Sequence, residues 1–530
     1  MSAAFPPVLL GLPGIDGDVL VTILVTAALA FGSSFVSVWL YGRFAKRARG
    51  APSTALPIDG PPTAADQCVA PLTDARPGET GIMVLADNHQ AYAARALSAR
   101  AAGRSIDMMY YLWRGDLTGN LLAREVLAAA DRGVRVRLLL DDINTRGLDP
   151  EYLALNGHPR IEVRLFNPAK NRGASLRRGA EMILRLLAVT RRMHNKAWIV
   201  DGRVAIIGGR NIGDTYFDAA DDFNSADLDA LLVGPAVHEV SEIFDTYWNS
   251  ALTLPIRSLL RYTRANLRGL RRRLAEVDRD ALADIYREQA LRQERLGQFL
   301  ERARPIHWTT TARVLSDPPG KTQRQDREDW LIGPLGAAIA ETRRELRVIS
   351  AYFVPGEAGI DGLSALAKRG VQVAILTNSL ASTNQVTVHG GYSVARPPLL
   401  RAGIRLFELR PFDPDRARSS LRRSDRASLH SKAFTVDGES GFIGSFNFDL
   451  RSAYLNTEMG LFFDDAAIAE EVDRVFEELT APDKSYEVYL DGAATRWHDG
   501  ARELTEEPLA SRTRRLVAAI VRHLPIKSQL

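Results

Sequence analysis

Histidine and lysine recur two positions apart at His194/Lys196 and again at His430/Lys432, in a chain with nine histidines and eight lysines. The same residues follow each pair: Asp201, Gly208, Gly209 and Asn211 in the first copy, Asp437, Gly444, Ser445 and Asn447 in the second. From histidine to asparagine the spacing is 17 in both. The residues behind each histidine, AWIV and AFTV, are strand formers, and on a strand i and i+2 share a face, so each imidazole projects with its ammonium partner. Two such pairs facing one another suit an anionic phosphodiester. The lysines would hold its charge, a neutral imidazole would attack phosphorus, and a protonated one would donate to the leaving oxygen. The roles would then reverse for a second half-reaction. No cofactor and no metal is expected, because the ammonium groups supply the positive charge.

Asp201 and Asp437 complete the motif and are carried in the candidate catalytic set with His194, Lys196, His430 and Lys432. Seven positions from the histidine is an odd spacing, and each aspartate precedes a glycine. Both are therefore expected off the histidine face, in a turn that holds the local fold. The Gly208-Gly209 and Gly444-Ser445 steps are expected to let backbone N–H groups approach the anion.

The elements that position these residues are also duplicated. DRGVRVRLLLDD (131–142) parallels KRGVQVAILTNS (368–379), and HNKAWIVDGRVAIIGGRN (194–211) parallels HSKAFTVDGESGFIGSFN (430–447). EVRLFNP precedes the first motif and GIRLFELRP the second, and Tyr110 and Tyr352 open the two units. Ala123–Arg132 and Gly362–Arg369 read as helices, each followed by glycine and a Val/Leu run that reads as a buried strand. The order predicts an α/β fold of two duplicated sandwich halves, spanning 80–254 and 306–490. Between them, 255–305 reads as an Arg-rich helical insertion.

The chain has 530 residues, with a formal net charge of +4, 46% hydrophobic and 25% charged residues. This excludes a mainly disordered chain and a multi-span membrane protein. A single cysteine, Cys68, excludes an intramolecular disulfide and a cysteine-built zinc cluster. Aromatic content of 8%, without a stacking pattern, does not favour nucleic acid. Val19–Leu40 is 22 residues without a charge, long enough as a helix for a bilayer core of about 30 Å. Arg43, Lys46, Arg47 and Arg49 follow it, which predicts residues 1–18 outside and the bulk of the chain in the cytoplasm. Residues 41–79 read as a basic flank and a Pro-rich linker.

Other features are read more plainly. Asp141-Asp142-Ile143-Asn144 is expected to be a strand-end turn. The remaining histidines are expected on the surface or in the core, with His389 set apart as a candidate for lining an acceptor pocket. Lys170, Arg172, Arg177, Arg178, Arg185, Arg191 and Arg192 form a basic run that either faces solvent or touches anionic headgroups. In the tail, 491–530, Arg512–Ile526 has helical amphipathic spacing, for a membrane surface or for packing on the protein.

The paired motifs resemble the phospholipase D superfamily over residues from about 80 to 530. Longer strings, among them SIDMMYYLWRGDLTGNLL, GGRNIGDTYF, ADLDALLVGPAV, YFVPGEAG, NSLASTNQVTVHGGY and LPIKSQL, are similar to bacterial cardiolipin synthases of the C type. The resemblance implies a pseudo-twofold site between the halves, a phosphohistidine intermediate and transfer of a phosphatidyl group to a second phospholipid. Phosphatidylglycerol is the implied donor, with no nucleic acid partner, and the implied place is the bacterial inner membrane. It casts His194 as nucleophile and His430 as general acid. Asn211 and Asn447, with Gly209 and Ser445, would line the phosphate site. Asp227 and Glu458 match by position, and each would orient an imidazole of its own half. VARPPLL (394–400) departs from the more charged helix implied there. The competing expectations are a hydrolase of the same superfamily, either a lipase releasing phosphatidic acid or a nuclease, and a membrane scaffold without catalysis.

Overall fold

Runs such as AWIV and VAIIG are apolar on both faces, the pattern of strands covered on each side. The computed structural model describes residues 17–145, 147–172, 181, 190–260, 263–292, 295–323, 327–413, 418, 420–422 and 424–523. The first half contributes β1 (Thr80–Leu85), β2 (Ser105–Tyr110), β3 (Arg135–Asp141), β4 (Ile161–Phe166), β5 (Ala197–Val200), β6 (Val204–Gly208), β7 (Asn224–Ala226), β8 (Asp229–Val233) and β9 (Thr253–Pro255). After the insertion come β10 (His307–Thr309), β11 (Arg313–Ser316), β12 (Glu345–Ser350), β13 (Gln372–Asn378), β14 (Arg405–Leu409), β15 (Ala427–Leu429), β16 (Lys432–Val436), β17 (Ser440–Gly444) and β18 (Met459–Asp464). The chain ends with β19 (Ser485–Asp491), β20 (Ala494–His498) and β21 (Glu503–Leu504).

The duplication is reproduced over eight strands of each sheet, β10 of the first and β20 and β21 of the second having no counterpart. One sheet runs β10-β1-β8-β6-β5-β2-β3-β4-β9 and the other β11-β18-β17-β16-β12-β13-β14-β19-β20-β21. In each, three central strands are parallel (β2-β3-β4 and β12-β13-β14) and the motif strand is antiparallel to the first of them. The motif histidines therefore lie at the carboxyl edge of the parallel strands, where open α/β sheets place their ligands. Helices Ala236–Trp248 and Ala466–Thr480 each touch both sheets. One apolar core joins the halves, with Met109, Ile199 and Ile207 in the same cluster as Ala433, Ile443 and Met459. A short parallel pair, β7 with β15, links the halves directly.

Three expected boundaries shift. β10, placed by sequence in the second half, pairs with β1 of the first. The second sheet runs past residue 490, since β20 and β21 extend it. The Pro-rich segment is strapped to the first half rather than hanging free: Arg137 donates to Ser53 O at 2.9 Å, Arg164 to Ala51 O at 2.6 Å, and Ala55 N to Asp245 at 2.7 Å. The insertion forms helices Leu267–Asp278, Ala281–Leu291 and Leu296–Arg302, shorter than the sequence suggested.

The apolar N-terminal segment lies in a 32-residue helix, Gly17–Ala48. Among the described residues no helix is long and apolar enough to cross a membrane. The helix is fixed to the first half near its C-terminus, where the Tyr41 hydroxyl donates to Pro168 O at 2.6 Å and Lys170 lies over Phe44 at 5.1 Å.

Candidate active site

His194 stands just before β5, beside the carboxyl end of β2, and His430 stands just before β16. Neither is held by its own half alone. The backbone N–H of His194 donates to Thr457 O at 2.8 Å, and that of His430 to Ala226 O at 2.7 Å. The next residue in each acceptor segment is the carboxylate. Glu458 Oε2 lies 2.8 Å from His194 Nδ1, and Asp227 Oδ2 lies 2.6 Å from His430 Nδ1. The sequence reading gave each imidazole a carboxylate from its own half; the structure exchanges them. The segments before Glu458 and Asp227 form bridges to the other half's motif strand, which carries the carboxylate across.

A carboxylate at Nδ1 fixes that nitrogen as the donor and leaves Nε2 with the lone pair. Among the described residues neither Nε2 has a hydrogen-bond partner. All four motif side chains are buried, and Lys196 Nζ donates to His194 O at 2.6 Å, with Lys432 Nζ donating to His430 O. Burial pushes both imidazoles down to about 4; Glu458 and Asp227 oppose this, while the neighbouring ammonium groups add to it. Burial likewise pushes Lys432 down to about 8 and Lys196 well below its usual range. Each lysine depresses the other half's imidazole as well as its own, so the four groups share one site. A site that strains to keep its positive charge is prepared for a diester anion.

The halves differ around their carboxylates. Burial raises Glu458, but His194, Lys196 and Ser445 outweigh it and hold the carboxyl below its usual range. Glu458 Oε2 accepts from the Ser445 hydroxyl at 2.6 Å and Oε1 from the Ser452 hydroxyl at 2.9 Å. Asp227 Oδ1 accepts only a backbone group, Leu228 N, at 2.9 Å among the described residues. Gly209 stands where the second half has Ser445, and a Cβ there would meet Asp227 Oδ1 at 2.2 Å. Glycine at 209 thus makes room for the carboxylate.

This overturns the anion-cradle reading of the glycine steps. Gly209 N donates to Leu228 O at 3.1 Å and Ser445 N to Met459 O at 2.9 Å, so both amides are tied to neighbouring strands. The asparagines also divide. Asn211 accepts from Leu112 N at 3.2 Å and donates to the Tyr216 hydroxyl at 3.1 Å, bracing the site. Asn447 Oδ1 is buried without a hydrogen-bond partner among the described residues, so its side-chain carbonyl is not consumed by the fold.

Asp201 and Asp437, carried with the catalytic set, lie elsewhere. Asp201 accepts from Gly103 N, Arg104 N and Ser105 N at 2.7–2.9 Å, and Asp437 Oδ1 from Arg344 N at 2.7 Å and Glu345 N at 2.9 Å. Both have left-handed backbone (φ 54° and 57°) and precede glycines with φ 67° and 68°, a hairpin turn that needs such residues. They fasten the motif hairpin to the start of β2 and of β12, at the sheet edge away from the imidazoles.

Sequence reasoning missed four contributors. Tyr111 packs edge-on against His194 (5.0 Å between centroids) and Tyr216 against His430 (5.1 Å). Buried Arg210 donates to Asp227 O at 2.8 Å and to Leu85 O at 2.7 Å, fixing the segment that carries Asp227. Ser452 is the fourth. The signal available was position: Tyr216 and Ser452 each follow their histidine by 22. Asp141–Asn144 forms the expected strand-end turn, with Asp141 accepting Met193 N at 2.9 Å. His389 does not line the cleft; it faces Arg396 at 2.7 Å and Glu507 at 3.4 Å. In the basic run, Arg172 pairs with Asp149 and Asp142, while Arg177, Arg178 and Arg185 lie outside the described residues.

Comparison with known proteins converges on one group. The family described as "Cardiolipin synthase, PLD-like domain" matches residues 98–248 and 335–480. Cardiolipin synthase C of Escherichia coli (strain K12) is 38% identical over 471 residues, 87% of this chain and 98% of that protein. An uncharacterized protein of Helicobacter pylori (strain ATCC 700392 / 26695) is 34% identical over 434 residues, 78% of this chain and 84% of its own. Among solved structures, phosphatidylserine synthase of Haemophilus influenzae Rd KW20 superposes with a TM-score of 0.56, covering 85% of this chain and 95% of that one at 12% identity, a likeness of fold.

Proposed function

We propose, from the premise that the chain belongs to the cardiolipin synthase family of phospholipase D-like enzymes, that it makes cardiolipin from phosphatidylglycerol and a second phospholipid through a covalent phosphohistidine. The observation that carries this reading is the pair of carboxylate-oriented imidazoles from two halves, set among two buried lysines.

The donor's phosphodiester sits between Lys196 and Lys432, with the Asn447 amide toward it. His194 Nε2 attacks phosphorus; the bond to the glycerol oxygen breaks, and that oxygen takes the proton from His430 Nε2. The phosphatidyl group is then on His194, glycerol leaves, and His430 is neutral. The hydroxyl of the second phospholipid gives His430 its proton and attacks phosphorus, and the P–N bond breaks to restore His194. Glu458 and Asp227 keep Nδ1 protonated throughout and stabilise whichever ring carries positive charge. The two serine hydroxyls on Glu458, where Asp227 Oδ1 accepts only the Leu228 amide among the described residues, make the two imidazoles inequivalent and support His194 as nucleophile and His430 as the acid.

In this reading the helix Gly17–Ala48, uncharged in sequence over residues 19–40, anchors the chain at the bacterial inner membrane. Val19, Val21, Leu24, Val25, Phe35 and Val36 are exposed along it, and the basic residues from Arg43 onward support a cytoplasmic place for the catalytic halves. The deciding experiment gives the purified protein phosphatidylglycerol vesicles and follows lipids by mass spectrometry. Cardiolipin with free glycerol is the expected outcome; phosphatidic acid alone would make the protein a hydrolase.

A further inference from the structure

The tail helix Arg512–Val521 buries Ala518 and Val521 and turns Leu516, Val517 and Ile520 outward. It lies against helix Val386–Arg401, where Gly390 permits the approach: a Cβ there would be 3.0 Å from Ala518 O. Leu509, Leu516 and Ile520 are 65%, 62% and 53% exposed, too much apolar surface on one short element to be incidental. From Arg512 to Arg522 there are four arginines and no acid. Arg512 and Arg522 are exposed and without an ion-pair partner among the described residues, one at each end of the apolar face.

The helix is also rigidly placed. Arg514 donates to Leu380 O at 2.9 Å and to Thr383 O. Just ahead of it, Glu507 pairs with buried Arg396 at 2.6 Å, which pairs in turn with Glu408 at 2.8 Å. Leu380–Thr383 follows the carboxyl end of β13, where Asn378 donates to Leu429 O at 2.8 Å, one residue before His430. Asn384 accepts the Tyr352 hydroxyl at 2.6 Å. The tail helix therefore stands at the same sheet edge as the imidazoles. On the other half, the N-terminal helix is fastened at that edge too, by Tyr41 to Pro168 just past β4.

We infer that the tail helix is a second membrane contact, lying in an anionic lipid surface with Leu509, Leu516 and Ile520 inserted and Arg512 and Arg522 on headgroups, so that one contact on each half aims the cleft at the bilayer. This rests on the phosphatidyl-transfer reading for its purpose, but not for its detection. The apolar face alone would suit a protein; the unpaired Arg512 and Arg522, the absence of acids within the helix, the pairing of Glu506 and Glu507 just ahead of it with Arg515 and Arg396, and the shared edge with the apolar N-terminal helix select a lipid surface.

The test uses the full chain in proteoliposomes. In a Cys68→Ser background, Leu516→Cys carries an environment-sensitive fluorophore, and Glu439→Cys, in the hairpin turn at the opposite sheet edge, is the control. Doxyl-labelled lipids are expected to quench the label at 516 and not at 439, and more in phosphatidylglycerol than in phosphatidylcholine vesicles. The Leu516→Glu, Ile520→Glu double variant is expected to lose about tenfold in turnover of vesicle phosphatidylglycerol. Its cleavage of soluble bis(4-nitrophenyl) phosphate should be unchanged, which shows the fold is intact. Equal quenching at 516 and 439, or full vesicle turnover by the double variant, would overturn the inference. A quenched label at 516, together with unlabelled wild-type protein that cleaves neither substrate, would support the membrane contact and overturn the transfer reading instead.

Discussion

Glu458 belongs to the second half and orients His194 of the first, across 2.8 Å. With Asp227 doing the reverse for His430, neither half contains a complete acid–base unit. The duplication is therefore obligatory rather than additive: two ancestral copies make one site.

Glu458→Gln and Asp227→Asn are each expected to lower kcat by about 10²–10⁴-fold, the cost of losing an imidazole's orienting charge. KM for phosphatidylglycerol should change little, since both lysines stay. Steady-state kinetics on folded protein checks this; wild-type kcat in either variant would mean that the pairing is structural only.

The serine donors to Glu458 are expected to act through pH. Hydrogen bonds to a charged acceptor are worth about 1.5–3 kcal/mol each. Removing both, in Ser445→Ala with Ser452→Ala, makes Glu458 a stronger base and raises His194. The acid limb of the rate profile should move to higher pH, and Ser445→Thr should restore it. An unmoved limb would show that the hydroxyls only pack.

Substrate binding is expected to bring a proton with it. Both imidazoles lie near 4, so both are neutral at about pH 7, whereas the productive complex needs one imidazolium. Uptake favours binding at lower pH, so kcat/KM for a soluble diester should rise as pH falls from about 8 toward about 5. Calorimetry with a diester analogue, in buffers of different ionisation heat, should count about one proton. No uptake would mean that the acid is already charged in the free protein.

Asp201→Ala is expected to destabilise by about 4 kcal/mol or more, since three backbone donors lose a carboxylate acceptor at about 1.5–3 kcal/mol each. Below the lowered Tm, kcat should stay within a few-fold of wild type. A loss as deep as that of His194→Ala, with Tm unchanged, would return Asp201 to the chemistry.

How far the chain could be read in advance follows from what repeats. Asp201-Gly202 and Asp437-Gly438 announced the same turn, and the odd spacing from histidine put both aspartates off the imidazole face, as they are. The two duplicated halves followed from matched strings repeated in one order. What a repeat cannot display is exchange between copies. Asp227 and Glu458 were visible as equivalents, but which lobe each enters depends on the β7–β15 pairing and the Met193–Thr457 bridge, contacts far apart in sequence. Gly209 misled for a related reason: the Gly208-Gly209 step suggests a backbone donor, whereas Gly209 clears space for the Asp227 side chain. The segment around Ser53 looked like a linker by composition, because its anchors Arg137 and Trp248 come from distant elements.

The central claim is that His194 carries the phosphatidyl group while His430 moves the proton. Peptide mass spectrometry of protein mixed with phosphatidylglycerol, and quenched in neutral denaturant within a turnover, tests it most directly. The account predicts a phosphatidyl adduct on the peptide containing His194, absent from His194→Ala protein, which also forms no cardiolipin. An adduct confined to the His430 peptide, or cardiolipin still formed by His194→Ala protein, would contradict it.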